Sequence, residues 1–185
     1  MSRRIDRNDA LLLVIDVQEK LMPHIHDHES VEKNIIRMIR GTHVLGVPVI
    51  VTEQYPEGIG HTIESVTAAL AETHGTDVIR KMTFSSCGSD EFTDQVASRG
   101  RRDLILAGIE AHVCVFQTAI DLLDQEFRVW IVADAVSSRT PSNRQVALDR
   151  LSSEGVRLSS TEMILFELTV ACGTDEFRSI SKLVK

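Results

Sequence analysis

The stretch Leu104-Ile105-Leu106-Ala107-Gly108-Ile109-Glu110-Ala111-His112-Val113-Cys114-Val115-Phe116-Gln117-Thr118-Ala119 constrains this chain more than any other. Leu104 to Ala107 is short, continuous and apolar, the pattern of a strand buried on both faces. Gly108 breaks the run. Val113, Phe116, Ile120, Leu123 and Phe127 then recur at spacings of three, four, three and four, which predicts one apolar helix face. Cys114 is thereby placed where the C-terminal end of a strand turns into the N-terminus of a helix. Backbone N–H groups left unpaired in a first helical turn can hold an oxyanion, and the positive end of the helix dipole favours thiolate over thiol. The stretch fits a nucleophile, and it fits a structural cysteine as well, because free Cys is among the most buried residue types.

The same alternation of apolar runs and helical periods repeats along the chain. Leu11–Ile15 reads as a buried strand ending at Asp16, and Val31, Ile35, Met38, Thr42 and Leu45 mark a helix face between a cap at Ser30 and a stop at Gly46. Val47–Thr52 is a second strand, followed by a polar loop from Thr52 to His61. Ile63, Val66, Thr67 and Leu70 suggest a short helix, Asp77–Arg80 a third strand with Lys81 at its end, and Ser89 a cap for a helix that closes near Gly100. Arg128–Ala133 is another strand, with Asp134 at its tip. Thr140-Pro141 opens a helix running to Gly155, Val156–Leu158 is a short last strand, and Ser159-Ser160-Thr161-Glu162 fits a capping box. A final helix from Thr174 carries Phe177, Ile180 and Val184. Strands alternating with helices predict an α/β fold, three-layered and doubly wound on a mostly parallel sheet of about six strands.

Size and charge bound the function. The 185 residues suit one domain, residues 1–185. A net charge of −7 argues against nucleic acid or an anionic membrane as partner, and no apolar run reaches membrane-spanning length. Cys87, Cys114 and Cys172 are odd in number and form no CxxC pair, so neither a disulfide framework nor a zinc site is expected. With no apolar core in the N-terminal segment to mark a signal peptide, a reducing, cytoplasmic setting is expected. The expected partners are a small-molecule substrate and further copies of the chain, as a dimer or tetramer.

Asp16, Lys81 and Cys114 each close a different strand, and in a parallel sheet all three fall on one edge. A thiol beside a carboxylate and an ammonium is a workable nucleophilic set: the carboxylate takes the thiol proton, and the ammonium holds the carboxylate and favours thiolate.

These residues carry a resemblance. Leu13-Val14-Ile15-Asp16-Val17-Gln18, Arg80-Lys81-Met82-Thr83-Phe84-Ser85, Gly108-Ile109-Glu110-Ala111-His112-Val113-Cys114-Val115 and Asp134-Ala135 resemble the isochorismatase-like cysteine hydrolases, over essentially the whole chain. The resemblance implies Asp16 as base, Lys81 as its partner and Cys114 as the nucleophile that forms a thioester-type intermediate. It also implies a cis peptide between Ile109 and Glu110 and an oxyanion hole formed by the Glu110 and Cys114 positions. The subgroup that looks most similar is the isochorismatase-domain-containing proteins, through Thr52-Glu53-Gln54-Tyr55-Pro56-Glu57-Gly58-Ile59-Gly60 and Asp134-Ala135-Val136-Ser137-Ser138-Arg139.

Two departures shape the expectation. Metal-dependent nicotinamidases carry a Thr-x-Asp-x-His pattern where this chain reads Thr52-Glu53-Gln54-Tyr55-Pro56, so no metal and no cofactor is expected although His61 lies nearby. True isochorismatases lack the cysteine, so Cys114 points to acyl C–N chemistry. Gln54, Tyr55, Phe84, His112 and Phe116 are the candidate substrate contacts. Glu110 would disfavour anionic substrates unless it pairs with a neighbour such as Arg139. The competing expectations are a non-catalytic binding module that kept the fold, a metal-dependent nicotinamidase-like amidase, and a redox protein using the Cys114 thiol.

Overall fold

The computed structural model describes residues 4–73 and 78–185. Asp77 of the expected third strand, and the first three residues of the N-terminal segment, lie outside the described residues. Six parallel strands form one sheet: β1 (Ala10–Ile15), β2 (Val49–Gln54), β3 (Val78–Lys81), β4 (Asp103–Ile109), β5 (Arg128–Ser137) and β6 (Arg157–Ser159). Their order is β3-β2-β1-β4-β5-β6, so the chain winds outward in one direction from β1 and in the other from β4. The fold is the doubly wound α/β architecture that the alternating sequence pattern implies, and the crevice between β1 and β4 is its topological switch point.

The helices are α1 (His28–Val44), α2 (Pro56–Ile59), α3 (Glu64–Ala71), α4 (Asp90–Arg99), α5 (Phe116–Asp124), α6 (Pro141–Ser153), α7 (Thr161–Thr169) and α8 (Asp175–Val184). Successive side chains of a strand point to opposite faces. Leu12 and Val14 of β1 therefore join one core with α1, α3, α7 and α8, while Leu11, Leu13 and Ile15 join a second with α4, α5 and α6. Each such side chain, fully buried, is worth about 1.5–3 kcal/mol of transfer free energy. The face expected for α1 is the one that packs: Val31, Ile35, Met38, Thr42 and Leu45 are all buried.

Local structure departs from the sequence expectation in five places. Asp27, not Ser30, is the residue before α1, and Ser30 Oγ donates to Asp27 Oδ1 at 2.8 Å. β2 runs on to Gln54 and α2 begins at Pro56, so part of the expected loop is regular structure. Asp134 lies inside β5, where the pairing with β4 jumps from Leu106↔Ile131 to Gly108↔Val136. There it accepts the N–H of Thr161 at 2.8 Å and fastens the start of α7, a bulge that a strand ending at Ala133 does not anticipate. Ser160 caps α7 by accepting from Met163 N, so Met163 rather than Glu162 stands where a reciprocal box needs a carboxylate.

The fifth departure concerns α5. A π-helical turn, Ala111–Val115, precedes it and rotates the register. Ala111, Cys114, Val115, Thr118, Ala119 and Leu122 face inward, whereas the expected Val113, Phe116, Ile120, Leu123 and Phe127 form the half-buried flank.

Candidate active site

Asp16, Lys81 and Cys114 meet at the C-terminal edge of the sheet. Asp16 follows the last residue of β1 and turns the chain at φ 52°, a left-handed conformation that Asp tolerates better than most residues. Its backbone N–H donates to Thr52 O at 3.1 Å, which extends the β1–β2 pairing by one step. Gly108 allows β4 to pass close by on the other side: a Cβ there would lie 2.1 Å from Ile15 O, and φ is +123°.

The Asp16 carboxylate is fully buried and each oxygen has a donor. Thr52 Oγ1 donates to Oδ1 at 2.7 Å, and Lys81 Nζ donates to Oδ2 at 2.7 Å. Lys81 ends β3, and its ammonium also donates to Gln54 Oε1 at 3.0 Å, Phe84 O at 3.0 Å and Thr83 O at 3.2 Å. A buried charge pair is stable only when such extra partners satisfy both ions. Thr52 was not singled out by sequence reasoning. Its signal lies in the topology, because a parallel neighbour of β1 must place one residue beside the strand end, and in the register that residue pairs with Ile15.

Cys114 sits in the π turn beyond β4, and only 6% of the residue is exposed. Its thiol lies within electrostatic reach of both Asp16 and Lys81. Burial pushes the thiol pKa far above its ordinary value, the Asp16 charge adds to the rise, Lys81 opposes it, and Glu110 adds a smaller increase. The resting group is therefore a thiol. That differs from the expectation that Lys81 favours a thiolate: desolvation and the nearby carboxylate outweigh the Lys81 charge.

Around this centre the other candidates separate. Gln54 is committed to the ion pair: besides accepting from Lys81, its Nε2 donates to Met82 O at 2.7 Å, and its N–H donates to Gln18 Oε1 at 2.8 Å. Tyr55 and Phe84 are 46% and 54% exposed. Both flank the ion pair through the backbone, since Tyr55 N donates to Lys81 O and Phe84 O accepts from Lys81 Nζ. His112 bonds through Nδ1 to Ser138 Oγ at 3.0 Å and through Nε2 to Asn143 Nδ2 at 3.4 Å. Phe116 carries the Arg150 guanidinium 4.6 Å from its ring centroid and packs on the α4–α6 core.

Glu110 opens the turn that carries Cys114, and the Ile109–Glu110 peptide bond is cis. Its carboxylate is buried, which alone would raise its pKa, but side-chain and backbone hydrogen bonds from Arg139 hold it below the usual range. Arg139 Nη2 reaches Oε1 at 2.6 Å, and the Arg139 N–H reaches Oε2 at 2.9 Å. The pairing with Arg139 considered from the sequence is present. Farther out, Glu53 accepts from Thr62 N at 2.6 Å and lies 3.2 Å from His61 Nδ1. Among the described residues, no three His, Cys, Asp or Glu side chains converge as metal ligands would.

The Isochorismatase domain family profile matches residues 10–163, from β1 into the first turn of α7. The chain belongs to the isochorismatase family. Isochorismatase domain-containing protein 2 of Danio rerio is 36% identical over 181 residues, covering 98% of this chain and 89% of that protein. The secreted isochorismatase effector Isc1 of Phytophthora sojae is 37% identical, over 98% of this chain and 87% of the relative. Among solved structures, the MAR1 ribonuclease of Caenorhabditis elegans superposes with a TM-score of 0.92 at 35% identity, covering 98% of this chain and 92% of that one. Within this family, no helix among the described residues here is long and apolar enough to cross a membrane.

Proposed function

We propose that this isochorismatase-family chain is a cysteine hydrolase that cleaves the C–N bond of a small-molecule amide, with Cys114 as nucleophile, Asp16 as base and Lys81 as the cation that holds Asp16. The observation that carries the reading is the buried Asp16–Lys81 pair, whose two charges both act on the buried Cys114 thiol. Because the resting sulfur is protonated, its proton passes to Asp16 as the sulfur adds to the amide carbonyl carbon. The oxyanion that forms is received by the N–H groups of Glu110 and Cys114. Collapse breaks the C–N bond, the leaving amine takes the proton from Asp16, and a thioester remains on Cys114. Water then adds to the thioester while Asp16 takes its proton. The C–S bond breaks, the thiolate recovers that proton and the carboxylic acid departs.

Tyr55, Phe84 and His112 are the proposed substrate contacts, with Gln54 and Phe116 as further candidates. The reaction as drawn uses no cofactor and no metal. Residues 1–185 are read as one hydrolase domain, supported by the single sheet that draws strands from the whole length of the chain. A cytoplasmic placement is supported by three unpaired cysteines. A homo-oligomer, dimer or tetramer, is supported by exposed Val146, Leu158 and Met163 on the elements around the β6 edge, and sedimentation would report it. The nematode relative is named a ribonuclease; the net charge of −7 favours a small ligand over a polyanion here.

Incubation with a pooled library of small amides, followed by mass spectrometry of the Cys114 peptide, tests the assignment. An acyl adduct on Cys114 with release of ammonia or amine is expected, and both should vanish in Cys114→Ala. A library that is consumed equally by Cys114→Ala would overturn it. Binding without turnover would favour the non-catalytic module instead.

A further inference from the structure

Two residues of the helix that follows the nucleophile grip the loop that serves Lys81. Cys114, Thr118 and Asp121 succeed one another at spacings of four and three, so one face continues from the π turn into α5. Cys114 lies within electrostatic reach of the Asp16–Lys81 pair. The other two hold the segment that runs on from β3. Thr118 Oγ1 accepts the N–H of Ser86 at 2.9 Å, and both residues are fully buried. One turn further along, Asp121 Oδ2 accepts from Ser85 Oγ at 2.5 Å. Ser85 Oγ in turn accepts the N–H of Cys87 at 3.2 Å and caps the short turn Ser86–Gly88.

The backbone of this segment completes the ion pair. An ammonium has three protons to donate, and that of Lys81 has four acceptors, two of which are Thr83 O at 3.2 Å and Phe84 O at 3.0 Å. Thr83 is folded back on Ser85, its Oγ1 donating to Ser85 O at 2.8 Å. Gly88 closes the loop so tightly that a Cβ there would stand 2.5 Å from the same hydroxyl oxygen. Met82, Thr83, Phe84, Ser85 and Asp121 also line an open surface groove of about 710 Å³, whereas the Lys81 side chain has no exposure. The loop therefore has water on its outer side and the ammonium on its inner side. Asp121 forms no ion pair among the described residues, and the Ser85 hydroxyl is the hydrogen-bond partner of its carboxylate.

We propose that Asp121 is a positioning residue: through Ser85 it fixes the Thr83 and Phe84 carbonyls on the Lys81 ammonium, and so sets the ion pair against the nucleophile carried by its own helix. The catalytic use of that alignment rests on the hydrolase reading above; the alignment itself does not. A hydroxyl donating to a carboxylate makes a shorter and stronger bond than one between neutral groups. Here it ties the loop to α5 and resists drift between the two. Without it the carbonyls lose their aim, water enters from the groove, and Lys81 keeps Asp16 Oδ2 and Gln54 Oε1 as its side-chain acceptors. With a substrate in hand, Ser85→Ala or Asp121→Ala should lower kcat about tenfold with KM little changed.

Solvent exchange of the Lys81 ammonium protons, followed by NMR on protein carrying isotope-labelled lysine, tests the clamp without any substrate. A buried, hydrogen-bonded donor exchanges only when the structure around it opens. The Lys81 signal, identified by its absence in Lys81→Arg, should persist in unaltered protein at neutral pH. Ser85→Ala and Asp121→Ala should each speed the exchange about tenfold or more, and Asp121→Asn, which can still accept the Ser85 hydroxyl, should stay within about threefold of unaltered protein. Ile180→Val trims a buried residue in the core on the opposite face of the sheet. It lowers stability and should leave the exchange unchanged. Should Asp121→Ala not fold, Ser85→Ala, which removes one oxygen and leaves the helix intact, decides alone. A signal already lost in unaltered protein, exchange indifferent to Ser85→Ala, an effect of Asp121→Asn as large as that of Asp121→Ala, or equal acceleration by Ile180→Val would overturn the proposal. If the clamp responds as expected while no amide in the library is cleaved and Cys114 acquires no adduct, the hydrolase reading falls and the alignment stands.

Discussion

Lys81 Nζ lies 2.7 Å from Asp16 Oδ2, and neither side chain has any solvent exposure. A pair this deep contributes less through its own attraction than through what removing one partner would leave behind. The two changes available differ sharply. Lys81→Met strands a buried carboxylate and should cost about 3–5 kcal/mol.

Asp16→Asn is the gentler probe of the base. Asn keeps the shape, tolerates the left-handed turn at residue 16, and leaves Lys81 with Gln54 Oε1 and two backbone carbonyls as acceptors. Turnover of any substrate found should fall by about two to four orders of magnitude, while the loss of stability stays near 1–3 kcal/mol. Steady-state kinetics together with urea denaturation reads both. A turnover indifferent to this change would show that Asp16 is not the base.

The second prediction concerns the thiols. Cys172 is exposed, Cys87 is half-buried with its pKa raised by burial to about 11, and Cys114 is buried with its thiol pushed higher still. A raised pKa keeps the proton on as pH climbs past the ordinary thiol value, so the thiolate needed for alkylation is withheld through pH 7–9. Iodoacetamide at pH 8 followed by peptide mapping should label Cys172 first and Cys114 slowest in the folded protein. The order is the reverse of what a strand-to-helix turn suggests by itself. Rapid labelling of Cys114 would mean a resting thiolate and a mechanism without proton transfer to Asp16.

That reversal marks how far the sequence can be read. The alternation of apolar runs with helical periods is local, so Leu11–Ile15, Leu104–Ala107 and the α1 face could be seen directly, and parallel topology then placed Asp16, Lys81 and Cys114 on one edge. The balance of forces on the Cys114 thiol could not be seen, because desolvation and the distance to a carboxylate are properties of the assembled crevice. The π turn at Ala111–Val115 was hidden for a similar reason: apolar residues lie on both flanks of that segment, and only packing against β4 decides which flank turns in. Thr52 and the commitment of Gln54 to Lys81 depend on the register between β1, β2 and β3, which no single strand pattern encodes.

Gln54 supplies the third prediction. If its main task is to hold Lys81, Gln54→Leu should lower kcat about tenfold with little change in KM, because one acceptor of the ammonium is lost while the substrate contacts remain. A direct substrate contact would instead raise KM. The change should also cost about 1 kcal/mol of stability, the ordinary worth of a hydrogen bond. Kinetics with unchanged kcat and raised KM would return Gln54 to the substrate pocket.

The last prediction addresses metal dependence, which divides the amidases that this family includes. A divalent site needs several donors converging with suitable spacing. After β2 the available groups are already engaged: Glu53 accepts from Thr62 N and Oγ1 and pairs with His61, and Gln54, a neutral and weak donor to metals, bridges Lys81 and Met82. Recruiting Glu53 and His61 to a cation would break the hydrogen bonds that fix Thr62, whose neighbour Ile63 anchors the loop to Val17 O at 3.0 Å. Purified protein should therefore carry no stoichiometric zinc or iron, and EDTA should leave turnover unchanged. Elemental analysis finding about one metal ion per chain, removed by chelator together with activity, would show that these contacts rearrange and that the nicotinamidase-like chemistry applies.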